Sequence, residues 1–393
     1  MPLVALIACL VQLPFIYACG RLTGHLGAIG LFAAVLTTGF LLSLLGGARA
    51  VWGSPGWVRL YLVLWPFFVW WTVALFSLLL VPMALIARLV FLVSMPRVLA
   101  GGVVAATLGG VGALIKRTRI RRYNVDIDGL PAEFEGYQVA QISDLHCGPF
   151  ASGPRVAGWI AAVNRLDADL IAVTGDLIAS GSAFVPVVAA ALGALRARDG
   201  VFASMGNHDY FTDGESLVLA LEQEGLTVLR NRGVNVSRGS AAIHIAGVDD
   251  TWSKRADLER ALENRPSRMP VVLLAHDPEL FPAAAALGVD LTLSGHTHGG
   301  QIALPWFARR VNLARLLMPF TLGFYRLGAA TLYVNRGLGT TGPPVRLGVP
   351  PEIAVFTLRR SAAAAVTTVG EERAGYTETA APSSPAAAVP GLV

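Results

Sequence analysis

Two histidines stand one residue apart in the octapeptide Ser-Gly-His-Thr-His-Gly-Gly-Gln at 294–301. His296 and His298 are flanked by glycines, which allow the backbone to turn and to approach other groups without a Cβ clash. Imidazole nitrogens at this spacing are suited to binding a divalent metal ion. A single such tripeptide is weak evidence, so its meaning depends on which other ligand types the chain carries and where they stand.

Side chains of the same chemical kinds follow several apolar runs, each of a length typical of a buried strand. The runs lie at 137–143, 170–175, 201–206, 271–275 and 289–295. The polar residues that follow them are, in chain order, Asp144, His146, Asp176, Asn207, His208, Asp209, His276, His296 and His298. Of the seven histidines in the chain, only His25 and His244 lie outside these segments. Chance placement would not concentrate histidines at strand ends in this way.

Each segment alone has an ordinary structural explanation, since an Asp after a strand is usually a turn or capping residue. That explanation does not account for carboxylates, imidazoles and an amide all falling at the same kind of position. Helical patterns alternate with the runs, so the layout is α/β, and loops at the carboxyl edge of such a sheet are where active sites collect. We therefore expect a site for two divalent ions such as Mn, Fe or Zn. A carboxylate would bridge the ions, and the pair would bind a phosphate and acidify a water molecule.

The motifs Asp-x-His, Gly-Asp, Gly-Asn-His-Asp, a lone His and Gly-His-x-His, in this order, resemble the calcineurin-like metallophosphoesterase superfamily over about residues 137–300. The stretch NRGLGTTGPPVRLGVPPEIAVFTL at 335–358 resembles its bacterial YkuE/YaeI-like branch of phosphodiesterases. The resemblance implies a fold of two mixed β-sheets flanked by helices, a four-layer α-β-β-α sandwich. It extends over about residues 123–360.

The resemblance also implies a role for each matched residue. The first metal ion would be held by Asp144, His146, Asp176 and His298. Asp176 would bridge to a second ion, whose remaining ligands would be Asn207, His276 and His296. His208 would contact the phosphate as general acid, and Asp209 would orient His208.

Three further residues near these motifs have two interpretations each. Cys147 follows the first motif directly, and we expect it to pack in the core and not to bind metal. Arg336 and Arg346 lie in the C-terminal stretch. They are expected either to pair with local acidic groups, which is the preferred interpretation, or to contact the substrate phosphate, a role for which Arg is well suited.

The first 115 residues have the composition of a membrane region. They contain no Asp or Glu, and their apolar stretches lie at 2–20, 26–47, 60–87 and 91–115. A membrane-spanning helix needs about 20 apolar residues, so we expect four spanning helices. Three is the alternative, because Arg97 and several glycines weaken the last stretch. A cleaved signal peptide at the start is disfavoured, because that stretch lacks a basic beginning and three more apolar stretches follow.

A basic cluster follows the apolar region and consists of Lys116, Arg117, Arg119, Arg121 and Arg122. Without it, the chain beyond residue 115 is net acidic, so the high isoelectric point is typical of a membrane flank and no nucleic-acid partner is expected. Four spans would place the cluster on the same side as Arg49 and Arg59. The positive-inside rule then puts the catalytic domain on the cytoplasmic side of a bacterial-type inner membrane, whereas three spans would reverse this.

The sequence thus predicts a transmembrane region at 1–115, a basic linker at 116–122, a metallophosphoesterase domain at 123–360 and a disordered tail at 361–393. The predicted activity is hydrolysis of a phosphodiester by a membrane-anchored dinuclear-metal enzyme. The alternatives are a phosphomonoesterase or pyrophosphohydrolase using the same ions, or a membrane sensor or scaffold with an idle metal site. The apolar and basic loop at 305–320, including Trp306 and Phe307, suggests contact with the bilayer or with a lipid-linked substrate.

Overall fold

The N-terminal region is a bundle of apolar helices. The computed structural model describes residues 2–45, 56, 59–91, 94–114, 117–211, 213–266, 268–304 and 307–361. The helices are α1 Pro2–Leu10, α2 Leu13–Thr23, α3 Leu26–Leu45, α4 Trp65–Phe91, which a π-helical turn at Leu60–Leu64 precedes, and α5 Met95–Leu114. Arg49, Lys116 and the tail from 362 onward lie outside the described residues. Four helical stretches are long and apolar enough to cross a membrane, as expected: Ala5–Thr23, Leu26–Ser43, Leu60–Leu78 and Met95–Leu114.

Buried polar groups and small residues hold the bundle together. The Gln12 side chain donates a hydrogen bond to the Thr37 hydroxyl (2.8 Å) and accepts one from the Trp70 indole N–H (2.7 Å), which links three helical segments. A Cβ on Gly110 of α5 would lie 2.8 Å from the Cα of Val73 on α4. Small residues and interhelical hydrogen bonds are the usual means of association in lipid, where burial of apolar surface supplies little driving force.

Beyond the bundle, the chain forms two six-stranded sheets. The strands are β1 Arg119–Ile127, β2 Gln138–Ile142, β3 Leu170–Thr174, β4 Val201–Ser204, β5 Thr227–Val228, β6 Arg232–Arg238, β7 Ala241–Gly247, β8 Val271–Leu274, β9 Leu291–Ser294, β10 Gly323–Leu327, β11 Ala330–Val334 and β12 Glu352–Arg360. The first sheet has the order β1-β12-β2-β3-β4-β5, and the second has the order β10-β11-β9-β8-β7-β6. Both are mixed, because β12 runs antiparallel to β2, and β10 and β6 run antiparallel to their neighbours.

The two sheets pack face to face and helices cover their outer faces. Inward side chains such as Leu170 from the first sheet and Leu293 from the second share one buried core. The outer face of the first sheet packs against α6 Gly153–Asn164, α7 Val185–Gly193 and α8 Gly214–Gln223, and that of the second packs against α9 Leu258–Leu262 and α10 Phe281–Ala286. This confirms the four-layer α-β-β-α sandwich, in which the central strands are flanked by apolar residues on both faces and read as continuous apolar runs.

Strand β1 begins within the segment expected to be a basic linker. Arg119, Arg121 and Arg122 pair in parallel register with Glu352, Ala354 and Val355 of β12. The run was not recognised as a strand because β1 lies at the edge of its sheet and its first residues are mostly exposed. Only residues 115–118 separate the end of α5 from the start of β1.

Candidate metal centre

The predicted site residues gather at one edge of the sandwich, where strands of both sheets end. Strands β2, β3 and β4 are parallel neighbours in the first sheet, and β8 and β9 are parallel neighbours in the second. The two sheets meet there through hydrogen bonds: the Gln141 side chain donates to the Ser294 carbonyl (3.0 Å) and the His296 amide donates to Asp144 Oδ1 (3.0 Å). The loops that follow these strands therefore face one another.

Left-handed backbone turns aim the side chains inward. The φ angles of the residues concerned are 52° at Asp144, 44° at His146, 53° at Asp176, 71° at His296 and 52° at His298. A side-chain-bearing residue adopts this conformation at a cost of about 1–2 kcal/mol. Such strain persists only where the surrounding structure enforces it, and it concentrates at functional sites. Five strained residues on one edge therefore indicate a site and not five independent turns.

The first cluster brings together Asp144, His146 and His298, all buried. The two Nε2 atoms of the histidines lie 2.9 Å apart, and Nε2 of His298 lies 3.4 Å from Asp144 Oδ1. Nε2 of His146 is also 3.5 Å from Asp176 Oδ2. Carboxylate oxygen and imidazole nitrogen, directed at one point, form a donor set suited to a divalent transition metal ion.

The second cluster consists of Asp176, His276 and His296, and the Asp176 carboxylate also faces His146 of the first cluster. Asp176 Oδ2 lies 3.3 Å from Nε2 of His276, which is 3.3 Å from Nδ1 of His296. Nδ1 of His296 is in turn 3.0 Å from Oδ1 of Asn207. The same carboxylate oxygen therefore faces imidazoles of both clusters, which is the position that a ligand bridging two ions must occupy.

Backbone groups around the second cluster fix its orientation. Nδ1 of His276 lies 2.8 Å from the Thr174 carbonyl and donates to it, so that Nε2 is left to face Asp176. Gly206 makes room for both residues, because a Cβ there would lie 2.5 Å from the Asp176 amide nitrogen and 2.9 Å from His276 Nε2. The close approach explains why the motif requires glycine before Asn207.

Burial and neighbouring charge set the protonation of these groups. Burial lowers the pKa of His146 to about 3 and that of His296 to about 4, so both rings are neutral at pH 7. Burial alone would raise the pKa of Asp176, but the His276 charge and hydrogen bond hold it well below its usual range. Burial alone would lower the pKa of His276, but the Asp176 charge and hydrogen bond raise it to about 10. A metal ion at this cluster competes with the His276 proton, because a ligating imidazole must be neutral.

His208 lies beside the first cluster, half-buried, with its ring centroid 4.6 Å from that of His146. Its Nδ1 is 2.8 Å from the Ala179 carbonyl, and its amide donates to Asp176 Oδ1 (2.9 Å). The Asp209 carboxylate, which we expect to orient His208, forms no hydrogen bond to the His208 ring in the described part of the chain. Its oxygens accept hydrogen bonds from the amides of Leu177 (2.8 Å), Ile178 (3.2 Å) and Gly206 (2.9 Å). Asp209 thus ties together two of the loops that carry the site.

The two arginines of the C-terminal stretch are already engaged. Arg336 forms an ion pair with the buried carboxylate of Glu352, in agreement with the preferred interpretation. Arg346 is buried, and its guanidinium donates to backbone carbonyls, including that of Gly339 (3.0 Å), and lies 3.1 Å from Nδ1 of His298. Arg346 therefore lies on the edge of the His298 ring that is away from Nε2. Cys147 is fully buried in the core, as expected.

Two exposed aromatic residues at the site were not recognised in the sequence. The Trp252 ring lies 5.3 Å from that of His296 and is 63% exposed, and the Phe211 ring lies 4.3 Å from that of His208. Phe211 stands three residues after His208, which is the only signal the sequence offered; Trp252 stands in a loop remote from every motif.

Comparison with known proteins agrees with this geometry. Residues 137–300 match the family model described as calcineurin-like phosphoesterase. An uncharacterized metallophosphoesterase of Bacillus subtilis, YkuE, is 35% identical over 235 residues, which cover 58% of this chain and 82% of that protein. An uncharacterized metallophosphoesterase of Aquifex aeolicus is 32% identical, covering 61% and 92%. A Danio rerio protein named transmembrane protein with metallophosphoesterase domain is 32% identical, covering 60% of this chain but only 56% of that relative.

Proposed function

Because the chain belongs to the calcineurin-like metallophosphoesterase family, whose members hydrolyse phosphoric esters, we propose that it is a membrane-anchored phosphodiesterase with two divalent metal ions. The ligands we assign are Asp144, His146, Asp176 and His298 for the first ion, with Asp176, Asn207, His276 and His296 for the second. The observation that carries the assignment is Asp176 Oδ2, which lies 3.5 Å from an imidazole of one cluster and 3.3 Å from an imidazole of the other.

The side chains fit such ions by their chemistry. The ligand atoms of Asp144, His146 and His298 lie within 4.8 Å of one another, as do those of Asp176, His276 and His296. Burial keeps the imidazoles of His146 and His298 neutral. The donor set suits Mn, Fe or Zn. When bound, the two ions polarise the phosphoryl oxygens and acidify the attacking water. Asp176 keeps its negative charge at the point where the two clusters meet, because its pKa is held well below the usual range.

We assign His208 to protonation of the leaving oxygen. The Ala179 carbonyl accepts a hydrogen bond from the Nδ1–H group of His208, which leaves Nε2 to deliver a proton to the departing alkoxide. The His208 amide donates a hydrogen bond to Asp176 Oδ1, so the backbone of His208 is held at a fixed position relative to Asp176. Asp209 acts on the same loop through the Gly206 amide and is a positioning residue.

A lipid-linked phosphodiester is the substrate that we propose within this class. The membrane bundle contacts a loop of the site directly: the Phe150 ring, four residues after His146, lies 5.3 Å from the ring of Trp65 and 5.6 Å from that of Phe68. The bundle is thus adjacent to the catalytic edge and not to the far end of the sandwich. The basic residues on the domain side, Arg59 and Arg117 among them, support a cytoplasmic location at a bacterial-type inner membrane.

The proposed activity is tested with the full-length protein, loaded with Mn²⁺ and assayed on bis-p-nitrophenyl phosphate and p-nitrophenyl phosphate. We expect the diester to be preferred and Asp176→Asn to lose both ions and more than about 100-fold of the activity, since even outer-shell changes cost 10–100-fold. Asp167→Asn removes the same charge at an exposed residue with a similar φ of 53° and should change nothing. Retention of two ions and of activity by Asp176→Asn would contradict the assignment, and metal binding without turnover would favour a sensor.

A further inference from the structure

An exposed apolar surface lies on the loop that comes after His298, the last assigned ligand of the site. We call it the interfacial surface, and its described apolar members are more than half exposed: Leu304, Phe307, Val311, Leu313, Leu316 and Leu317. The last two are 80% and 86% exposed. Pro305 and Trp306, which the sequence also assigns to this loop, lie outside the described residues. Several large apolar side chains exposed in one loop of a folded protein mark a surface that contacts a membrane or another protein.

The loop that carries this surface is folded and not merely extended. The Leu304 amide donates to the Val311 carbonyl (3.0 Å), and the amide of Leu313 donates to the Ile302 carbonyl (3.2 Å). The buried side chain of Asn312 accepts from the Arg315 amide through Oδ1 (2.9 Å). The apolar side chains therefore point outward because internal hydrogen bonds of the loop place them there.

The same loop is joined to the end of a membrane-spanning helix. The amide of Ala303 donates to the Leu347 carbonyl (2.9 Å). The residue before Leu347 is Arg346, and its amide donates to the carbonyl of Ala113 in the last turn of α5 (3.1 Å). The interfacial surface thus begins at Leu304, one residue after Ala303. Ala303 is hydrogen-bonded to Leu347, and the neighbouring Arg346 contacts α5. The surface therefore begins close to the C-terminal end of α5.

From this continuity we propose that the interfacial surface inserts into the bilayer beside α5 and holds the opening of the metal centre against the lipid headgroups. Exposed Arg310 and Arg315 lie between the apolar residues, a pattern that suits anionic headgroups above a hydrocarbon layer. Resting on the proposed function, the inference identifies the substrate class as amphiphilic phosphodiesters taken laterally from the membrane.

Lipid contact is tested by photo-crosslinking the full-length protein in vesicles of phosphatidylcholine and phosphatidylglycerol. p-Benzoylphenylalanine replaces Leu316, with Leu317 as a second site, and lipid adducts are counted by mass spectrometry. The matched control is Leu327, which is 45% exposed. It pairs with Ala330 at the start of β11, whereas the other end of that strand, Val334, pairs with Ser294 at the site edge. The control therefore lies at the end of the strands that is opposite to the metal centre.

We expect several-fold more lipid adduct at the two test sites than at Leu327. Equal labelling at all three sites would overturn the inference, and so would adducts to protein at the test sites, which would indicate a second copy as the occupant. This readout does not depend on turnover, so it stands even where the proposed activity fails.

A second arm links the surface to substrate choice. The double variant Leu316→Ser, Leu317→Ser should lose several-fold of its activity on hexadecyl p-nitrophenyl phosphate carried in vesicles but retain its activity on soluble bis-p-nitrophenyl phosphate. Leu327→Ser should retain both. Equal loss on the two esters, or no loss on either, would contradict the assigned substrate class. No turnover of either ester by the unaltered protein would instead reject the proposed function.

Discussion

Gly206→Ala should disrupt the metal centre through backbone crowding. The added Cβ would lie 2.5 Å from the amide nitrogen of Asp176, which is 0.5 Å inside the 3.0 Å limit that real Cβ contacts respect, and nearer still to the Asp176 carboxylate. Gly206 does not have a left-handed φ, so the effect comes from crowding alone. Overpacking of this kind costs about 1–3 kcal/mol. Because Asp176 also faces His276 and accepts a hydrogen bond from the His208 amide, relief of the clash should displace Asp176 and His208 together.

The assay measures metal content, the activity on bis-p-nitrophenyl phosphate and thermal unfolding of the full-length protein. A displacement near 1 Å at a catalytic centre can cost about 100-fold in rate, so we expect a loss of that order with weakened binding of both ions. Gly158→Ala is the matched control, since a Cβ there meets nothing within 4 Å on the exposed face of α6. It should raise stability by about 0.5–1 kcal/mol, as expected for Gly→Ala in a helix. Unchanged metal content and turnover in Gly206→Ala would refute the reasoning.

Two other changes test the acid and the bundle. His208→Ala should retain both ions but lose about 10²–10⁴-fold of the rate on an alkyl ester, whose leaving oxygen needs a proton, and lose less on a p-nitrophenyl ester; equal losses on both esters would remove His208 from that role. Gln12→Leu should lower the free energy of unfolding in detergent by about 1–2 kcal/mol, because Trp70 and Thr37 lose their interhelical partner. Thr107→Val is its control, because the Thr107 hydroxyl donates to the Val103 carbonyl within α5 (2.8 Å). An equal effect of the two variants would show that the hydrogen bonds of Gln12 to Thr37 and Trp70 do not stabilise the bundle.

The donor set of the site was predictable because residue type alone carries its chemistry. An imidazole or carboxylate that follows a buried apolar run must emerge at the strand end, and parallel strands bring their ends to one edge. The expected runs at 170–175 and 271–275 are β3 Leu170–Thr174 and β8 Val271–Leu274. The convergence of Asp176 with His276, which are 100 residues apart in the sequence, also requires the two sheets to pack with these strand ends together, because β3 and β8 belong to different sheets.

Hydrogen-bond partners could not be predicted in the same way, because they depend on where loops from distant parts of the chain come together. Asp209 is next to His208 in the sequence, yet its carboxylate accepts hydrogen bonds from the amides of Leu177 and Ile178, which follow β3. Arg346 could equally have faced solvent, but the turn of its own loop directs it to His298. Strand β1 was missed since an edge strand exposes much of its length and so lacks the apolar run of a central strand.

The short connection between α5 and β1 limits where the enzyme can act. Four intervening residues reach at most about 14 Å even when fully extended, so the catalytic domain cannot swing toward a facing membrane or far into the surrounding solution. For an amphiphilic ester, the relevant concentration is therefore the mole fraction of that ester within the protein's own leaflet. Diluting the ester with inert lipid should slow the reaction, whereas adding water at constant lipid composition should leave the rate per molecule unchanged.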